Sequence, residues 1–295
     1  MQWFPSGKGA FFLQQLLREM HIWMTAYMKS FYTADEEVMQ GILIKETHTG
    51  YVTANMVALA KHLGLDAHGR QLAEIMGLFH DVGRFRQYSL YKTFNDAQSE
   101  DHAALALKVL AELPLMRRLA AEDRALVRFA IKNHNKKAIE PTEDARSLLF
   151  AKMLRDADKL DIYRVLAPYL SASGAEAAPN FVASLRSQDV SPAFVRALVE
   201  GRQADYHAIR THGDRKVVRL LWVYDIYFSW TMREIARKGY IDKVIHALPH
   251  GRELTLGFTR VKSYVAAKCA QEDVPVSCEM AVREHRLPDI ERISQ

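Results

Sequence analysis

Residues 72–85 read LAEIMGLFHDVGRF: Leu72, Ile75, Met76 and Phe79 recur at the three- and four-residue spacing of one helix face, and the run ends with His80 and Asp81 side by side. An ionised aspartate next to apolar residues needs a counter-charge. A divalent cation supplies one and takes the neighbouring imidazole as a second ligand. The same period runs through Phe12, Leu16, Met20, Trp23, Tyr27 and Phe31, and through Val52, Met56, Leu59 and Leu63, whereas strand-like alternation is scarce. The pattern predicts an all-α chain, a helical bundle with additional N- and C-terminal helices.

Further helices are expected at about 102–112, 122–134, 144–166, 192–208, 214–238 and 254–270, with His48 opening a helix and His80-Asp81 closing one. LPLMRR (113–118), IEPTED (139–144) and SASGAEAAPN (171–180) read as breaks, the last as a linker or surface loop. The stretch VVRLLWVYDIYFSWTM (217–232) is too apolar to stand alone in water, so residues 192–248 are expected to pack back on the first bundle. The expected organisation is one domain over 1–250, with its core at about 40–165, and a peripheral helical segment over 251–295.

The chain has 295 residues, 49% hydrophobic and 25% charged, enough for a sizeable core. Its formal charge of +5 is spread among acidic residues rather than gathered into runs, and no zinc finger, basic arm or aromatic RNA-binding signature occurs. Dedicated nucleic-acid binding is therefore not expected. Two cysteines, Cys269 and Cys278, give neither a disulfide framework nor a thiolate site, which fits a cytoplasmic protein. Charged and polar residues (Gln14, Gln15, Arg18, Glu19, His21) interrupt the aromatic N-terminus before it reaches the roughly 18 apolar residues of a spanning helix. It reads as a helix that docks on the bundle, with no membrane contact.

His48, His80, Asp81, His102, His134 and Asp158, the last within RDADKLD (155–161), form an ordered series of metal-ligand types. Helices of a bundle can aim such side chains inward, and histidine with carboxylate suits Mn, Fe, Co, Ni, Zn or Mg. These motifs resemble those of the HD superfamily of metal-dependent phosphohydrolases, whose pattern is His, then His-Asp, then a distant Asp. The wording around HDVGRF and DADK matches too. The resemblance implies that His48, His80, Asp81 and Asp158 hold one ion, and that Asp81 bridges to a second held by His102 and His134. The chain departs from the HD-GYP phosphodiesterases, since Asn135 follows His134 and no GYP occurs.

The implied activity is hydrolysis of a phosphomonoester or phosphodiester of a nucleotide or related small metabolite, with one or two divalent ions and with Asp81, His102 and His134 at the reacting centre. The substrate is then a small phosphorylated molecule, and nothing in the sequence excludes a homo-oligomer. Di-iron oxygenases of the same fold share the six-ligand pattern, and a non-catalytic metal-binding regulator is a third reading. Arg84, one turn beyond Asp81, suits a substrate phosphate. Lys159 is a second substrate-binding candidate, or else pairs with Asp156 or Asp161. Asp101 is a candidate carboxylate behind His102, Phe94-Asn95-Asp96 a turn or pocket wall, and Asp225 among its aromatics a carboxylate in need of a partner.

Overall fold

Aspartates set just ahead of the apolar runs start several of the helices. Asp35, Asp66, Asp101 and Asp144 accept hydrogen bonds from backbone N–H groups of the first turn that follows each of them. The computed structural model describes residues 6–170 and 187–274, and among them every regular element is helical. In order they are α1 (Ser6–Lys29), α2 (Glu36–His62), α3 (Ala67–Phe79), α4 (Val82–Tyr91), α5 (His102–Glu112), α6 (Ala121–Asn133), α7 (Ala145–Leu166), α8 (Pro192–Glu200), α9 (His212–Leu221), α10 (Ser229–Arg237), α11 (Tyr240–His246) and α12 (Arg252–Cys269), with short 3-10 turns between some of them. Among the described residues no helix is long and apolar enough to cross a membrane.

Three boundaries differ from the sequence expectation. His48 lies in the middle of α2 rather than at its start, because the helix begins at the Asp35 cap. The helix expected over 192–208 stops at Glu200, where Gly201 takes the left-handed conformation, φ 67°. The helix expected over 214–238 is cut in two: after α9 come a 3-10 turn at Trp222–Asp225 and extended backbone at Ile226 and Phe228. There the Asp156 carboxylate accepts hydrogen bonds from Tyr227 N and Phe228 N at 3.0 and 2.9 Å, in place of the carbonyls of a preceding turn. SASGAEAAPN and Cys278 lie outside the described residues.

Two hydrophobic clusters organise the packing. The first joins Leu16, Met20 and Met24 of α1 to Val52 and Met56 of α2, Met76 and Phe79 of α3, and Phe150 and Leu154 of α7. The second joins Phe194, Val217, Leu221, Met232, Ile235 and Val261 to Leu160 and Tyr163, also of α7. Helix α7 therefore belongs to both, and the half-buried Trp230 of α10 packs against both.

Glycines set the closest approaches around α3 and α4. A Cβ on Gly77 would lie 2.7 Å from Thr53 Cα, so its absence lets α3 press on the middle of α2. A Cβ on Gly83 would lie 2.4 Å from the His102 carbonyl oxygen and 2.6 Å from Ala106 N, so the start of α4 rests directly on α5. Gly77→Ala should lower stability by about 1–3 kcal/mol through overpacking against backbone. Gly50→Ala, at a site in α2 where a Cβ meets nothing within 4 Å, should be neutral or gain up to about 1 kcal/mol from helix propensity. Urea unfolding of the two variants checks the contrast, and equal effects would remove the close-approach argument.

Candidate metal centre

The chain bends between α3 and α4: His80 keeps helical angles at the end of α3, while Asp81 sits at φ −107°, ψ 16°. At this bend two neighbouring side chains face the same interior. His48 comes to them from the middle of α2, His102 from the start of α5, His134 from the end of α6 and Asp158 from α7. All six residues of the sequence series thus converge, in two groups: His48, His80 and Asp158, and Asp81, His102 and His134.

Asp81 stands between the groups. Its Oδ2 is 3.5 Å from the Nε2 atoms of both His48 and His80, and its Oδ1 is 3.5 Å from His102 Nε2 and 3.6 Å from His134 Nε2. Asp158 Oδ1 lies 3.1 Å from His48 Nε2. Within each group the imidazoles oppose one another, with Nε2 to Nε2 distances of 3.3 Å for His48–His80 and 3.0 Å for His102–His134. All four histidines are buried.

The other ring nitrogens fix the tautomers. His80 Nδ1 faces the Gly77 carbonyl at 2.8 Å and His134 Nδ1 faces the Ile131 carbonyl at 2.7 Å; carbonyls only accept, so both Nδ1 atoms carry hydrogen. His48 Nδ1 lies 2.6 Å from Asp161 Oδ2, and His102 Nδ1 lies 2.6 Å from Asp96 Oδ2. Burial acts to raise the pKa of both carboxylates, but the His48 and Arg164 bonds to Asp161 and the His102 bond to Asp96 outweigh it and hold both below the ordinary value. All four rings therefore donate through Nδ1 and turn Nε2 inward. Burial lowers His80 and His102 to about 4, so these two are neutral, with lone pairs on Nε2.

This donor set fits divalent cations. With Nδ1 already donating in every ring, opposed Nε2 atoms at hydrogen-bonding distance leave neutral rings no hydrogen to share, and Asp81 Oδ1 is buried without a hydrogen-bond partner. Carboxylate or carbonyl acceptors behind metal-bound imidazoles are the usual support of such sites. Asp81 is ionised. Burial opposes its charge, but Lys45, His80 and His134 hold its pKa well below the ordinary value. At His48 burial and Lys45 pull the pKa down, while Asp158 and Asp161 outweigh them and raise it, so a proton competes with a cation for this Nε2.

Around the cluster, Lys45 Nζ donates to Asp81 Oδ2 at 2.7 Å. Arg84 lies against the site, its Nε 3.6 Å from Asp81 Oδ1 and without a hydrogen-bond partner. Its Nη1 donates to Gln87 Oε1 and to the Phe94 carbonyl, both at 2.7 Å, and to Asp96 Oδ1 at 2.9 Å. Lys159 is not brought to the cluster: its Nζ lies 2.8 Å from Asp225, rather than pairing with Asp156 or Asp161. Asp101 caps α5 and binds Asn135 and Lys136.

The family model of the HD domain matches residues 46–163, a span that holds all six residues. The chain carries an HD domain. No curated protein and no solved structure gave a match. HD domains form a superfamily of metal-dependent phosphohydrolases in which not every member is an enzyme.

Sequence reasoning missed Lys45, named Asp161 only as a partner for Lys159, and took Asp96 for part of a turn or pocket wall. Helical spacing holds a signal for the first two: Lys45 lies three residues before His48, and Asp161 three after Asp158. Asp96 reaches His102 from a 3-10 turn, where no period points to it.

In the metal-free protein His80 and His102 should stay neutral down to about pH 4, well below the roughly 6.5 of a free imidazole. Because their folded pKa values are depressed, their contribution to stability is complete above about 6.5 and is lost as pH falls toward 4. Imidazole 15N spectra across this range check it. Protonation of either ring above pH 6 would contradict the assignment.

Proposed function

We propose that the chain is a metal-dependent phosphohydrolase that cleaves a phosphomonoester or phosphodiester bond of a nucleotide or related small metabolite. The observation that carries the reading is the single carboxylate of Asp81, whose two oxygens face two separate pairs of inward-turned imidazole nitrogens. His48, His80 and Asp158 would hold one divalent ion and His102 and His134 a second, with Asp81 shared. Bound there, two such ions supply a water of lowered pKa and neutralise the oxygens of a phosphoryl group.

The chain's own side chains prepare the rest. Asp161 and Asp96 hold the His48 and His102 rings in orientation through Nδ1. Lys45 and Arg84 place positive charge beside Asp81, and the unpartnered Arg84 Nε is a donor available to an anionic oxygen. Both cations lie over the Phe94 ring, at 5.3 and 5.7 Å from its centroid, which fixes their stems. Lys159, turned toward Asp225, is left out of substrate binding in this reading.

The test is a phosphate-release screen over mono-, di-, tri- and cyclic nucleotides with each of Mn, Co, Ni, Zn, Mg and Fe(II). Asp81→Ala should lose metal and turnover together, and full turnover by this variant would sink the site assignment. Arg84→Ala should weaken turnover or substrate affinity by about 1.5–3 kcal/mol, the range of a charge-assisted hydrogen bond. Two irons per chain with oxygen consumption and no phosphate release would replace hydrolysis by oxygenase chemistry.

A further inference from the structure

The family match ends at residue 163, yet a charge pair rooted in a buried arginine near the site reaches beyond it. Arg155, on α7, is 2% exposed. One face of its guanidinium serves the end of α6: Nη1 donates to the Asn133 carbonyl at 3.1 Å and to the Lys136 carbonyl, and Nη2 lies 3.5 Å from the Lys137 carbonyl. These carbonyls flank His134. A helix C-terminus leaves its last carbonyls without intrahelical partners, and a cation there satisfies them and complements the helix dipole. The Asn133 side chain ties the same turn down, donating to the Phe129 carbonyl at 3.0 Å and accepting from Glu140 N at 2.8 Å.

What holds Arg155 in place comes from the other side. Its Nη2 donates at 2.9 Å to Asp225, in the turn that interrupts the α9–α10 segment, and Asp225 also pairs with Lys159 at 2.8 Å. Next to it, Asp156 accepts the Tyr227 and Phe228 N–H groups. The motif RDADKLD thus faces two ways: Asp158 and Asp161 serve the imidazoles, and Arg155, Asp156 and Lys159 serve residues 225–228.

We infer that Arg155 is a positioning residue for His134 and that Asp225, from outside the family match, is its anchor. The pair completes the His102–His134 half of the metal centre and leaves the His48–His80–Asp158 half untouched. The inference rests on the two-ion reading given above. It assigns to the C-terminal region a part in metal binding itself.

The test is Mn2+ stoichiometry and affinity of the purified full-length chain, by elemental analysis and calorimetric titration. Asp225→Asn keeps the side-chain size but removes the charge opposite Arg155. It should weaken the second ion about 10- to 100-fold, as loss of support behind a metal ligand commonly does, and leave the first unchanged. Asp225→Glu should recover part of the loss. Lys159→Met removes the other partner of Asp225, keeps Arg155–Asp225, and should bind both ions as the unmodified chain does. A merely structural role would lower the melting temperature of the Asp225→Asn and Lys159→Met chains and leave the affinities alike. Where Asp225→Asn does not fold, Arg155→Lys replaces it: an ammonium retains the charge but cannot span two carbonyls, so the same selective loss is expected. Equal affinity for both ions in a folded Asp225→Asn or Arg155→Lys chain overturns the inference and leaves the two-ion reading intact. An unmodified chain that holds fewer than two ions removes that reading as well.

Discussion

The centre of this protein depends on how four imidazole hydrogens are placed. Two backbone carbonyls and two carboxylates accept from Nδ1, so the Nε2 atoms all turn toward Asp81. Neutral rings in that arrangement bring lone pairs together beside a buried anion, which only a cation or a shared proton can relieve. The surroundings limit which cation serves. Lys45 and Arg84 already offset part of the Asp81 charge, and a small divalent ion reaching several nitrogens and carboxylate oxygens at once would meet the remainder.

Packing explains how residues so distant in sequence meet with this accuracy. The bend at Asp81 requires α4 to leave α3 and lie directly on α5, and Gly83 removes the one side-chain atom that would prevent it. Gly77 does the same for α3 against α2 at Thr53, five residues beyond His48. Helix α7 then closes the cluster. Its charged motif would be hard to bury in one direction only, and the fold resolves this by dividing the charges between the imidazoles and the 225–228 segment.

Much of this was legible in the chain. Helical periodicity gave the all-α class, and α5, α6, α7 and α12 fall within about two residues of their expected limits. The six converging residues were visible because their types, order and flanking words coincide. The broken α9–α10 segment was not, since its local pattern is helical throughout and the interruption is made by Asp156, some 70 residues away in sequence. Arg84 shows a similar limit. Spacing put it at the site, but its engagement with the Phe94 carbonyl and Asp96 depends on a turn that no periodicity describes. Asp225 was singled out as a carboxylate needing a partner; of its two partners, Lys159 was read for the substrate or for Asp156 or Asp161, and Arg155 was given no role.

The sharing of α7 between two cores has a thermodynamic consequence. Leu154 and Ala157 are packed in one cluster and Leu160 and Tyr163 in the other, within the same two and a half turns of helix. The two cores cannot melt independently without fraying this helix, so local opening of one is opposed by the other. Anything that binds Asp158 and not the unfolded chain adds its binding free energy to that common unit. Helices such as α8 and α12, which supply none of the clustered histidines or aspartates, would then draw their resistance to unfolding in part from an ion they never touch.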